Sequence, residues 1–204
     1  MKISLLGDSI RLFGYGRVVP ELLGKEFEVY QPDDNCRFAK YTLRGLYDWE
    51  ADMKGSRIVH WNNGLWDVPT CFGDGNFTSK EEYLNTMLRI ARILLSRYDK
   101  VIFATTTPIR EGKEFSDNND IIAYNNLLVP RLQEMGVLIN DLHALVSPKI
   151  DQYIRSDDLV HLTEAGCLAC GEQVARVIRD AADMLCAEEA SCAGGIPTTS
   201  EPCS

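Results

Sequence analysis

Residues 1–10 read Met1-Lys2-Ile3-Ser4-Leu5-Leu6-Gly7-Asp8-Ser9-Ile10. A short apolar run breaks into a glycine, an acid and a serine. That is the pattern of a buried strand ending in a tight turn, with a hydroxyl presented where a helix begins. Further along, apolar runs recur at residues 27–30, 57–61, 101–105 and 137–139, each of strand length. Between them the apolar residues fall at helical spacing. Residues 18–23 and 42–48 start helices, and 80–98 carry Tyr83, Met87, Ile90, Ala91 and Leu94 on one face. Residues 119–135 repeat the pattern, and 163–185 open on Thr163-Glu164, a helix-starting pair. This alternation predicts an α/β fold whose central parallel sheet is covered by helices on both faces. Ligands of such sheets sit at the carboxyl ends of the strands. Ser9, after the first strand, and Asn62 and Asn63, after the third, are therefore expected on one rim.

At 204 residues the chain is sized for one domain with an ordinary core. That domain is expected over residues 1–186. Residues 187–204 hold almost no large apolar side chains and are expected to form a tail without a fold of its own. The net charge of −9 argues against a nucleic-acid partner, because phosphate binding needs clustered Lys and Arg. No apolar run has the length of a membrane span. The N-terminal run is too short for a secretory signal, so a cytoplasmic protein with reduced cysteines is expected. Cys167 and Cys170 form a C-x-x-C, but they share an apolar helical stripe with Val174 and Val177 and lack a second ligand pair. They read as core packing rather than a zinc or redox site. No metal or other cofactor is expected, and oligomeric state is left open.

The second informative stretch is Ser156-Asp157-Asp158-Leu159-Val160-His161. Histidine suits general-base work because it titrates near neutrality, and a carboxylate on its other ring nitrogen fixes the tautomer. The i, i+3 spacing lets Asp158 fold back on His161 in one irregular turn, with Asp157 as the competitor. His60 lies inside an apolar strand and reads as a hydrogen-bonded core residue, and His143 falls in a loop or short turn. Asp141 reads as a cap or loop brace, and Asp67 has no histidine beside it. A serine hydroxyl needs such a base before it can attack. Ser9, His161 and Asp158 together therefore predict a serine hydrolase.

On these two blocks the chain resembles the SGNH (GDSL-type) hydrolase superfamily. Gly7-Asp8-Ser9 is similar to the block that carries the nucleophile, and Asp158-Leu159-Val160-His161 to the D-x-x-H block that supplies acid and base. The resemblance spans the chain up to the tail and implies a three-layer α/β/α sandwich, flavodoxin-like, acting without a cofactor. The middle blocks depart from the pattern. Lys40, in Asn35-Cys36-Arg37-Phe38-Ala39-Lys40, stands where a glycine commonly gives its N–H to the oxyanion. His60-Trp61-Asn62-Asn63-Gly64-Leu65 replaces G-x-N-D, so the resemblance implies Asn62 as the side-chain donor, with Asn63 as runner-up. The expected substrate is a small acyl ester, such as an O-acetyl group on a carbohydrate. The alternatives are a lysophospholipase- or thioesterase-type acyl hydrolase, or a carbohydrate-binding relative without catalysis. A phosphate-binding module is weaker, since the first loop lacks a glycine-rich cradle. Trp61 reads as core and Trp66 as a ligand-facing candidate. Arg37 and Lys40 read as solvated, and the loop at 67–77 as the segment that selects substrate.

Overall fold

The alternation of side chains along each strand decides the layering. In this computed structural model, which describes residues 1–193, five short strands form one parallel sheet. They are β1 (Lys2–Leu6), β2 (Glu28–Tyr30), β3 (Ile58–Asn62), β4 (Lys100–Ala104) and β5 (Leu138–Asn140), in the order β2-β1-β3-β4-β5. The helices are α1 (Val19–Leu23), α2 (Ala39–Asp48), α3 (Glu50–Met53), α4 (Lys80–Leu95), α5 (Asn118–Glu134), α6 (Leu142–Val146), α7 (Ile150–Tyr153) and α8 (Glu164–Ala193). Successive strand residues point to opposite faces. Ile3, Leu5, Ile58 and Ile102 therefore bury against α1, α6 and α8. Leu6, Val59, Trp61 and Phe103 bury against α2, α4 and α5. The result is the expected α/β/α sandwich with a separate core on each face.

The chain adds β2 on one side of β1, then crosses back to place β3 on the other. That reversal leaves a crevice beyond the carboxyl ends of β1 and β3, the standard ligand position in an open parallel sheet. Caps fix the helix starts: the Ser79 hydroxyl accepts Glu82 N–H at α4, and the Asp117 carboxylate accepts Asn119 N–H at α5.

The boundary expected at residue 186 is corrected. Alanine and glutamate at 187–190 are good helix formers, and α8 continues to Ala193. Its extension is tied to the sheet's lower edge by Lys100–Glu188 at 2.5 Å and Arg57–Glu189 at 2.7 Å. The rest of the expected tail, residues 194–204, lies outside the described residues. Cys170 is buried in the α8 core and Cys167 half-buried beside it, both free thiols, as the packing reading requires. Burial pushes the Cys170 thiol up to about 12. Among the described residues no helix is long and apolar enough to cross a membrane.

Candidate active site

A cleft of about 520 Å³ opens above the strand ends. Its polar lining includes Ser9, Asn35, Lys113, Asp158 and His161, and its apolar walls include Phe13, Phe38, Leu65, Trp66, Phe77 and Ile109. Ser9 leads from β1 into a single π-helical turn, Ile10–Gly14, and is only 6% exposed. The turn is held from beneath. Asp8 is fully buried and accepts Ile10 N–H at 2.9 Å. Desolvation raises its carboxyl above the usual carboxylate range, partly opposed by the Asn62 amide and the Arg11 charge. Arg11 is itself buried, and its guanidinium donates to the carbonyls of Pro32 at 2.8 Å, Asp34 at 2.6 Å and Gly7 at 3.2 Å. It therefore ties the serine turn to the loop after β2. Gly7 must be glycine, because a β-carbon there would stand 2.0 Å from Asn62 Oδ1 and 2.7 Å from Arg11 Cβ.

The histidine arrives from the far end of the chain. Ile154 and Leu162 form an isolated antiparallel bridge, which pinches residues 155–161 into a loop over the cleft. Within it Leu159 adopts a positive φ of 68°, turning the chain so that Asp158 Oδ1 accepts both Val160 N–H at 2.9 Å and His161 N–H at 2.8 Å. Asp158 Oδ2 then lies 3.0 Å from His161 Nδ1. Asp157, the competitor, turns away to pair with Arg155. The backbone and His161 bonds hold the Asp158 carboxyl below its usual range against partial burial, which alone would raise it. With Nδ1 engaged by the carboxylate, Nε2 is the ring nitrogen without a hydrogen bond among the described residues. His161 and Ser9 line the same cleft but form no direct hydrogen bond in this structure, a spacing that often tightens only around substrate. His60 is fully buried against Asn140, at 3.0 Å, and desolvation lowers it to about 3. His143 sits in α6 beside Ser147. Asp141 caps α6 through Ala144 N–H and braces Thr105.

No protein-family model matches the sequence, and no curated protein matches it. Solved structures do. An acetyl xylan esterase matches with a TM-score of 0.67 and 22% identity, over 89% of this chain and 99% of its own. A lipase/acylhydrolase from Enterococcus faecalis matches at 0.72 and 19%, over 88% and 95%. A GDSL-like lipase from Bacteroides thetaiotaomicron matches at 0.69 and 16%, over 88% of each chain. The chain has the SGNH-hydrolase fold.

Within this SGNH fold the serine, aspartate and histidine blocks converge on one cleft, whereas the expected oxyanion donors do not. Lys40 is the second residue of α2. Its side chain pairs with Glu82 and lines a separate depression with Leu43 and Arg44. The positive-φ residue of that loop is Arg37, at 47°, so the glycine-like turn falls three residues earlier than Lys40. Asn62 is buried below Ser9, where its Oδ1 accepts the Tyr15 hydroxyl at 2.7 Å and its amide faces Asp8. Asn63 spends both amide hydrogens on Arg37 carbonyl oxygen at 2.9 Å and Thr42 Oγ1 at 2.8 Å. Neither asparagine lines the cleft. Spacing could not show this, because each asparagine side chain meets partners distant in sequence. Reasoning from sequence also missed Asn35, Lys113 and the buried Arg11. Trp61 is core and Trp66 faces the cleft at 44% exposure, as expected. Pro69, Cys71 and Phe77 bring the 67–77 loop to the cleft wall.

That loop is anchored by Asp67, whose carboxyl accepts Ala39 N–H at the start of α2 and the Thr78 hydroxyl at 2.8 Å. Desolvation raises it from 3.8 to about 7. Between those values the folded protein binds the extra proton, so this group's contribution to stability is full at low pH and is lost as pH climbs to about 7. His60 acts oppositely, since the unfolded chain protonates near 6.5 while the buried ring resists to about 3. Asp67→Asn keeps the acceptor and removes the titration. The variant should gain on the wild type between pH 4.5 and 7.5 in urea unfolding. A constant difference across that range would show that Asp67 is ionised throughout.

Proposed function

We propose that the protein is a serine hydrolase of carboxylic esters, with Ser9 as nucleophile, His161 as general base and Asp158 as the carboxylate that orients it. The observation that carries this reading is the 3.0 Å contact between Asp158 Oδ2 and His161 Nδ1, made by a histidine that shares its cleft with a serine on the first strand-to-helix turn. Ser9 Oγ bonds to the ester carbonyl carbon as its proton passes to His161 Nε2, and the carbonyl π pair moves to oxygen. Collapse of that intermediate breaks the bond to the alkoxy oxygen, which leaves as the alcohol with the proton from His161. Water then repeats the sequence on the acyl-enzyme. A fluorophosphonate probe should label Ser9, read by mass spectrometry of the peptide that carries it. An unlabelled Ser9 in folded protein would remove the enzymatic reading and leave a binding protein.

The substrate we favour is an O-acetyl group on a carbohydrate. The acetyl xylan esterases among the structural neighbours support it, as does Trp66 on the cleft wall, which offers a face to a sugar ring. A cleft of about 520 Å³ holds a drug-sized ligand, so it accommodates more than an acetyl group. A longer acyl ester is the second reading, favoured by the apolar walls from Phe13 to Ile109. Acetylated xylooligosaccharides and p-nitrophenyl acetate should be turned over faster than p-nitrophenyl octanoate. The reverse order would assign the cleft to the acyl chain.

A further inference from the structure

One residue outside the cleft reaches the histidine loop at both its tip and its root. Arg110 lies beyond β4, next to Ile109, whose buried side chain is part of the cleft wall. Its backbone N–H donates to the Leu159 carbonyl at 2.9 Å. Leu159 is the residue whose positive φ turns the chain and sets Asp158 against His161. Among the described residues this is the one hydrogen bond that ties residues 156–160 to chain outside the loop.

At the root, Arg110 Nε donates to the Ile154 carbonyl at 2.8 Å, and Nη2 donates to the Asp151 carbonyl at 2.5 Å. Ile154 is one half of the bridge that closes the loop. Both oxygens belong to the end of α7, where helix carbonyls lack partners within the helix. The Asp151 carboxylate also meets Nη1 at 3.0 Å, but it is 94% exposed and adds little. The arginine's own backbone is fixed in turn. Asn118, the first residue of α5, accepts Ile109 N–H at 2.9 Å and returns an amide hydrogen to the Ile109 carbonyl at 2.8 Å. One residue, itself held to α5, thus sets where the loop starts and where it bends.

We propose that Arg110 is a positioning residue for ester hydrolysis, holding the Asp158–His161 loop against the segment after β4 so that His161 stays over the cleft that contains Ser9. This rests on the esterase reading above. Arg110 acts only through Ile154, Asp151 and Leu159. A base displaced by about 1 Å can lose a factor of 10² in rate, and a loop with half-exposed side chains has little else to hold it in place.

The test uses full-length protein. Arg110→Met keeps much of the side chain's bulk and removes every guanidinium donor. It should lower kcat for p-nitrophenyl acetate by about 10–10² with KM within about twofold. Amide hydrogen exchange supplies a readout independent of turnover. The Val160 and His161 N–H groups, both bonded to Asp158, should exchange at least about tenfold faster, a larger change than any in β1 or β3. Arg110→Lys retains a donor for one carbonyl at a time, so its losses in both measurements should be smaller, and it replaces Arg110→Met should that variant fail to fold. Equal changes in loop and strand exchange, or a folded variant with kcat within about twofold of wild type, would overturn the assignment of Arg110 and leave the esterase reading intact. Wild-type protein without Ser9-dependent turnover would overturn both.

Discussion

Ser9→Ala should reduce hydrolysis of p-nitrophenyl acetate by about 10⁴–10⁶, the loss seen when the nucleophile of a serine hydrolase is removed. The substitution deletes one oxygen at a site that is 6% exposed, and that oxygen caps no helix. Its cost in stability should therefore stay within about 0.5 kcal/mol, and the activity loss is chemical. Asp158→Asn is the companion variant. The Asn oxygen can still accept Val160 and His161 N–H, but the side chain no longer carries the charge that holds His161 with its proton on Nδ1. About 10⁴ in kcat should disappear. Retention of more than a hundredth of the wild-type rate by Ser9→Ala would refute the assignment.

The second large effect is structural. Arg11→Met should destabilise the protein by about 3–5 kcal/mol, as removal of one member of a buried charged network generally does. The guanidinium is buried and satisfies three backbone carbonyls, those of Gly7, Pro32 and Asp34. Methionine fills similar space but donates nothing, so those oxygens are stranded away from water. Asp8 also loses the cation that opposes its desolvation. For a chain of this size the melting temperature should fall by roughly 6–20 °C. A loss under about 1 kcal/mol would mean that the loop finds other donors and that Arg11 is not its clamp.

The five strands were legible because each is a short apolar run whose alternate residues feed two cores, as Val59 and Trp61 oppose Ile58 and His60. The Asp158–His161 contact was legible because it is local: three residues of chain contain the whole geometry, including the positive φ at Leu159. The oxyanion donors were not. Where an asparagine side chain points depends on what the fold brings to it, here Tyr15 to the Asn62 oxygen and Thr42 to the Asn63 amide. Arg11 was illegible for the same reason, since a lone arginine after a turn carries no mark of the carbonyls that will enclose it. The helical run to Ala193 was hidden by a composition poor in large apolar residues, though its glutamates find Arg57 and Lys100 at the sheet's edge.

The two halves of the proposed reaction centre are mounted on material of unequal firmness. Ser9 stands on the central strands, clamped by buried bonds, whereas the Asp158 and His161 side chains are about one-third exposed on a loop held by the Ile154–Leu162 bridge and by Arg110 N–H on the Leu159 carbonyl. Opening that loop breaks few buried contacts, so it costs far less than melting the sheet. Catalysis can therefore be silenced by a local detachment that leaves every strand in place, and mild urea should quench turnover well before the protein loses its shape.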